Sequence, residues 1–146
     1  MNATAADELD FTQQMISKNL SNFSAWHVRS SLLPKYFCTL DSVQQHFMLR
    51  KEIDLIKAAI YTDPDDQSIW LYYRWLRSTF DIKEDETMLG ELFDLEPNCK
   101  WVLIGVSESK QRKGQDDLGI LDKLIQIDPL RKGRYKEMMT KKSISQ

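Results

Sequence analysis

An acidic residue followed by proline recurs at Asp63-Pro64, Glu96-Pro97 and Asp128-Pro129, with the prolines 33 and 32 residues apart. A fixed period of this size marks a chain assembled from stacked supersecondary units, and it limits the fold before any local propensity is weighed. Ahead of each pair runs an apolar pattern of helical period: Leu49, Ile53, Ile56 and Ile60; then Met88, Leu92 and Leu95; then Leu118, Leu121 and Ile125. Each reads as a first helix, A. Behind the first two pairs stands a capping candidate, Asp66 or Asn98, and then an apolar segment such as Ile69, Trp70, Tyr73, Leu76 and Phe80, which reads as a second helix, B. Proline accounts for the break, because it lacks an amide donor and biases its predecessor away from helical angles.

The first residues fit the same scheme without a proline. Leu9 to Leu20 is expected as helix A, and Asn22-Phe23-Ser24-Ala25-Trp26 opens helix B as Asp66-Gln67-Ser68-Ile69-Trp70 does later. The shared cap, serine and tryptophan place Trp26 and Trp70 alike in their hairpins, and Trp101 and Tyr135 continue the series as repeat anchors. Their separations of 44, 31 and 34 residues leave room for one insertion, expected as a surface loop over residues 34–46. With 5 Gly and 4 Pro the chain is too poor in turn residues for a sandwich or barrel. The expected fold is all-α: a single domain over 1–146, an alpha-alpha superhelix or solenoid of about four antiparallel hairpins (repeats 8–33, 47–80, 86–111 and 116–140), each burying its apolar face against its neighbours.

Little in the sequence points to chemistry. The net charge of −2 gives no general attraction to nucleic acid. His27 and His46 lie outside any metal-ligand spacing and read as helix-surface histidines. Cys38 and Cys99 are too far apart for a paired motif and read as reduced thiols. Gly105, Gly114 and Gly119 form no phosphate loop, and Glu84, Asp85 and Glu86 read as a solvated linker or as acids biasing the next helix start. No metal site, no cofactor bound by this chain and no catalytic residue is expected. In the aromatic run, Trp70 and Tyr73 share the face of Ile69 and Leu76 and are expected in the core, with Tyr72 and Trp75 on the flanks. Trp75 with Arg74 and Arg77 is the candidate partner hot spot. The tail holds Arg131, Lys132, Arg134, Lys136, Lys141 and Lys142, read as solvent-facing cations suited to the end of a last helix. No signal peptide or spanning segment is evident, so a cytoplasmic protein without stable membrane insertion is expected.

The segments Asn22-Phe23-Ser24-Ala25-Trp26-His27-Val28-Arg29-Ser30-Ser31-Leu32-Leu33-Pro34, Thr62-Asp63-Pro64-Asp65-Asp66-Gln67-Ser68-Ile69-Trp70 and Leu95-Glu96-Pro97-Asn98-Cys99-Lys100-Trp101 resemble the repeats of protein prenyltransferase alpha subunits. Within that family they are most like the C-terminal half of the alpha subunit of Rab geranylgeranyltransferase, the type II enzyme, and the likeness runs from about Glu8 to Met138. The resemblance implies a helical-hairpin crescent around a beta subunit that carries a zinc ion and geranylgeranyl diphosphate. The complex moves geranylgeranyl groups onto C-terminal cysteines of Rab GTPases presented by an escort protein. It also implies that this chain alone is inactive, and that the repeats approaching the diphosphate, which precede these in family members, are absent here. By position in the motif, Arg29 and Arg74 are expected at or near the beta-subunit contact. The rival reading is a tetratricopeptide-like interaction scaffold. Both families repeat at this period, but in the tetratricopeptide pattern the Trp belongs near the start of the first helix, whereas here it opens the second. A half-tetratricopeptide nucleic-acid processor fits less well, since no basic groove accompanies the acidic balance.

Overall fold

A computed structural model describes residues 4–144, with side chains through Thr140; the side chains of Lys141 and Lys142 lie outside the described residues. Packing divides the chain into two compact units, one ending at Lys83 and one beginning at Glu84. Among the described residues every regular element is helical, in line with the all-α reading.

The first unit contains α1 (Ala5–Lys18), α2 (Phe23–Phe37), α3 (Ser42–Thr62) and α4 (Gln67–Phe80). Each start is capped by a side chain. Thr4 and Asp7 form a reciprocal capping box on α1, Asn22 accepts from the Ala25 amide at 3.0 Å on α2, and Asp66 accepts from Ser68 at 2.8 Å on α4. The helices pair as α1 with α2 and α3 with α4, and α4 also packs on α2. Ile16, Leu33, Ile56, Ile60, Ile69 and Leu76 are all but fully buried between them. Burying one such side chain stabilises by about 1.5–3 kcal/mol, so this shared face holds the unit together.

The expected insertion loop over 34–46 is corrected by the structure. Helix α2 runs through Pro34 to Phe37, and α3 already begins at Ser42, leaving four residues between helices. Pro34 lies in the last turn of α2, and its carbonyl accepts from the Cys38 amide at 3.2 Å, although its ring nitrogen cannot donate back to the Ser30 carbonyl. Helix α3 starts early because Asp41 and Gln44 form a capping box, a sequence signal that the proline masked. The extra length in this repeat is thus absorbed by a 21-residue helix.

The second unit contains α5 (Glu86–Leu95), α6 (Lys100–Arg112), α7 (Leu118–Ile127), a short 3-10 turn over Pro129–Arg131 and α8 (Lys132–Ile144). Leu103, Leu121, Leu124 and Tyr135 form its buried cluster, flanked by Phe93, Ile104 and Met138. The acidic run does bias a helix start: Asp85 caps α5 by accepting from the Met88 amide at 3.0 Å. The cap of α6, however, is Cys99 rather than the expected Asn98, and no side-chain cap bond forms there. Gly105 has a packing reason, since a Cβ at that position would lie 2.9 Å from a methyl group of Leu89 in the facing helix. Gly114 ends α6 with φ at +68°, where a side chain is strained.

Candidate functional site

The tryptophans recur in a matched setting. Trp26 donates its indole N–H to the Leu20 carbonyl at 2.8 Å, and Trp70 donates to the Pro64 carbonyl at 2.6 Å, each reaching back six residues across the hairpin turn. Both are buried, as are Trp101 and Tyr135. Tyr135 reaches back in a similar way, its hydroxyl donating to Asp128 Oδ2 at 2.8 Å. Burial, followed by the Asp128 hydrogen bond, pushes its pKa up to about 12. In three of the four hairpins, then, the anchor aromatic both fills the core and ties down the turn.

The most densely bonded cluster in the first unit lies beside Trp26. Arg29 donates from Nε and Nη2 to Glu52 at 2.6 and 2.5 Å, and from Nη1 to the Leu9 carbonyl at 2.9 Å and Thr12 Oγ1 at 3.3 Å. The Tyr72 hydroxyl donates to the same carboxylate at 2.5 Å. One cluster therefore links α1, α2, α3 and α4, with the Arg29 and Glu52 side chains only 7% and 3% exposed. Burial alone would lower the Arg29 pKa, but the hydrogen bonds and charge of Glu52 outweigh it and leave the guanidinium above its ordinary value. Burial first and the adjacent carboxylate second push the Tyr72 hydroxyl well above the usual phenol range. Neither the Arg29 guanidinium nor the Tyr72 hydroxyl is poised to lose a proton near neutrality, and the cluster's work is architectural.

Arg29, expected at or near the beta-subunit contact, is buried and its guanidinium is committed within its own unit. One expectation is corrected outright. Tyr72 is 4% exposed, not a flank residue, because α4 packs against both α2 and α3 and so buries two faces. Sequence reasoning missed Glu52 and Thr12 altogether. A glutamate on an otherwise apolar helical stripe, between Leu49, Ile53 and Ile56, was the available signal.

Over the cluster, α1 and α3 form the walls of a cleft of about 550 Å³ lined by Asp10, Gln13, Arg29, Lys51, Glu52 and Asp54. On another side, α2 and α4 enclose a shallow apolar hollow of about 170 Å³ between Phe23, Trp26, His27, Leu71, Tyr72 and Trp75. Trp75 is half-buried, its ring 5.3 Å from that of Tyr72 and 6.2 Å from Phe80. Phe23 and Leu71 are 59% and 43% exposed on the same hollow. Of the other candidate contacts, Arg74 is exposed, whereas Arg77 is half-buried over the Tyr73 ring and donates to the Ile82 carbonyl at 3.3 Å. His27 stacks on Phe23 at the helix surface, and His46 is exposed on α3. Cys38 is an exposed thiol and Cys99 a buried one. Among the described residues no three His, Cys, Asp or Glu side chains come together where a metal ion could sit, and no helix is long and apolar enough to cross a membrane.

Residues 5–36 and 49–80, which are the α1–α2 and α3–α4 hairpins, match the protein prenyltransferase alpha subunit repeat. More particularly, the chain is similar to the geranylgeranyl transferase type-2 subunit alpha of Schizosaccharomyces pombe, with 30% identity across 94% of this chain and 50% of the relative. The Dictyostelium discoideum protein of that name is 35% identical across 77% of this chain and 40% of its own length, and the Sus scrofa protein 38% across 71% and 21%. This chain thus spans half or less of the curated relatives it matches. Among solved structures, the Candida albicans protein geranylgeranyltransferase-I complexed with GGPP shares the fold, with a TM-score of 0.62 at 21% identity over 88% of this chain and 45% of that one.

Proposed function

We propose that this chain acts as an alpha subunit, or a part of one, in a Rab geranylgeranyltransferase, supporting the transfer of geranylgeranyl groups from geranylgeranyl diphosphate to C-terminal cysteines of Rab GTPases. The observation that carries the reading is the alignment of both family repeats with both hairpins of the first unit, together with similarity to type-2 alpha subunits along nearly the whole chain. On this reading the chain works in the cytoplasm, is inactive alone and binds no cofactor. Its partner is a beta subunit that holds the zinc ion, and the Rab arrives with an escort protein. Zinc on that partner would supply a thiolate nucleophile by lowering the substrate thiol pKa. This chain contributes a scaffold whose hairpins are fixed by the Arg29–Glu52–Tyr72 cluster and the tryptophan ties. Its contact surface is the hollow beside Trp75 with Arg74 and the edge of Arg77, where a half-buried Trp and exposed apolar neighbours supply the anchor chemistry of a subunit interface.

Reconstitution tests the role. Labelled geranylgeranyl transfer to a Rab with its escort protein is measured with the beta subunit, with this chain and with both. Transfer that requires both chains is the expected result; transfer by the beta subunit that this chain does not change would refute a supporting role.

A further inference from the structure

The basic tail finds no use in the function above, and the structure changes its meaning. Six basic residues and one acidic residue fall between positions 129 and 142, in a chain whose net charge is −2. They were expected to complement the end of a last helix. Instead Arg131 closes the 3-10 turn, and Lys132 and Arg134 occupy the first turn of α8, which contains no acidic residue. Cations there oppose the helix dipole, so local helix stability does not account for them. Arg131, Lys132, Arg134 and Lys136 are all exposed, and of these Arg131 lies 3.9 Å from Asp128. Immediately before them in sequence, Leu130 is 98% exposed, the most exposed large apolar side chain described, and Ile127 at the end of α7 is 38% exposed. A fully protruding leucine followed by four exposed cations has no advantage in water. It suits a surface that is negatively charged outside and apolar just beneath.

We propose that this tip, Leu130 with Arg131, Lys132, Arg134 and Lys136, docks the chain peripherally on an anionic lipid bilayer. The cations approach the headgroups while Leu130 enters the boundary between headgroups and acyl chains. Nucleic acid would satisfy the charges and leave Leu130 without a role, and no helix of the described residues can span the membrane, so attachment is to the surface alone.

Sedimentation with phosphatidylcholine vesicles, with and without about a third phosphatidylserine, tests the proposal on the full chain. Binding is expected only with phosphatidylserine and should weaken as salt shortens the Debye length. Replacing Arg131, Lys132 and Arg134 by glutamine should weaken partitioning about fivefold per residue, and Leu130→Ser should weaken it severalfold while charge is unchanged. All four side chains are exposed, so folding is preserved and helical circular dichroism checks it. Equal sedimentation with neutral vesicles, or none with either kind, overturns the proposal. So does binding that Leu130→Ser leaves untouched and that a single-stranded oligonucleotide matches, which would mark a general polyanion patch.

Discussion

Removing Arg29 should cost the first unit far more than removing any surface charge. Arg29→Ala would leave the Glu52 carboxylate, 3% exposed, with the Tyr72 hydroxyl as its remaining described donor, and would strip the Leu9 carbonyl and Thr12 of their guanidinium contact. Breaking one partner of a buried ion pair typically costs about 3–5 kcal/mol, against a total stability on the order of 5–15 kcal/mol. With a urea slope of about 1–3 kcal/mol per molar, the unfolding midpoint of the variant should fall by roughly 2 M. The double variant Arg29→Met, Glu52→Met distinguishes an ion pair from mere volume. It removes both charges together, and much of the loss should return, giving a coupling energy of at least about 1 kcal/mol in the cycle. Urea unfolding followed by circular dichroism at the helical band reads the wild type, Arg29→Ala, the single variants Arg29→Met and Glu52→Met, and the double variant. Loss below about 1 kcal/mol for Arg29→Ala, or strictly additive single changes, would refute the argument that this pair ties the hairpins together.

Other positions give further tests. Tyr135 holds its proton more tightly folded than unfolded, so its hydrogen bond to Asp128 contributes fully below pH 10 and is lost as pH rises through about 12. Alkaline unfolding of the wild type should therefore steepen across that window, and Tyr135→Phe should flatten it. Gly114→Ala should destabilise by about 1 kcal/mol because its φ is +68°, while Asp81→Gly, at a helix end with φ of 53°, should be neutral or stabilising; thermal unfolding reads both. Trp75→Ala should weaken binding to a beta subunit by about 2 kcal/mol, roughly thirtyfold, with helical content unchanged, as titration calorimetry would measure.

The hairpins were legible because proline and capping side chains punctuate the chain and the apolar period fills each helix between. Trp26 and Trp70 were legible as equivalents because their pentads match, although their hydrogen bonds to Leu20 and Pro64 were not. Two of the failures, Arg29 and Tyr72, share one cause: local patterns do not reveal how many neighbours a helix has, whereas the third was a local cap overlooked. Pro34 looked like a terminator until Asp41 and Gln44 were seen to restart the helix four residues beyond its end. Arg29 looked like a surface residue because its counter-ion lies 23 residues away in another hairpin. Tyr72 looked peripheral on one helical wheel, yet two helices cover α4. Similarly, the tail's basic composition was plain, but its place at the start of α8 depended on where the 3-10 turn ended.

The proposed role requires this chain to act as a partner of a prenyltransferase beta subunit. Purified chain and the type-2 geranylgeranyltransferase beta subunit of the same organism, mixed and separated by size-exclusion chromatography with light scattering, test this most directly. The prediction is a one-to-one complex that Trp75→Ala weakens. Two separate peaks, with this chain folded and helical on its own, would contradict it.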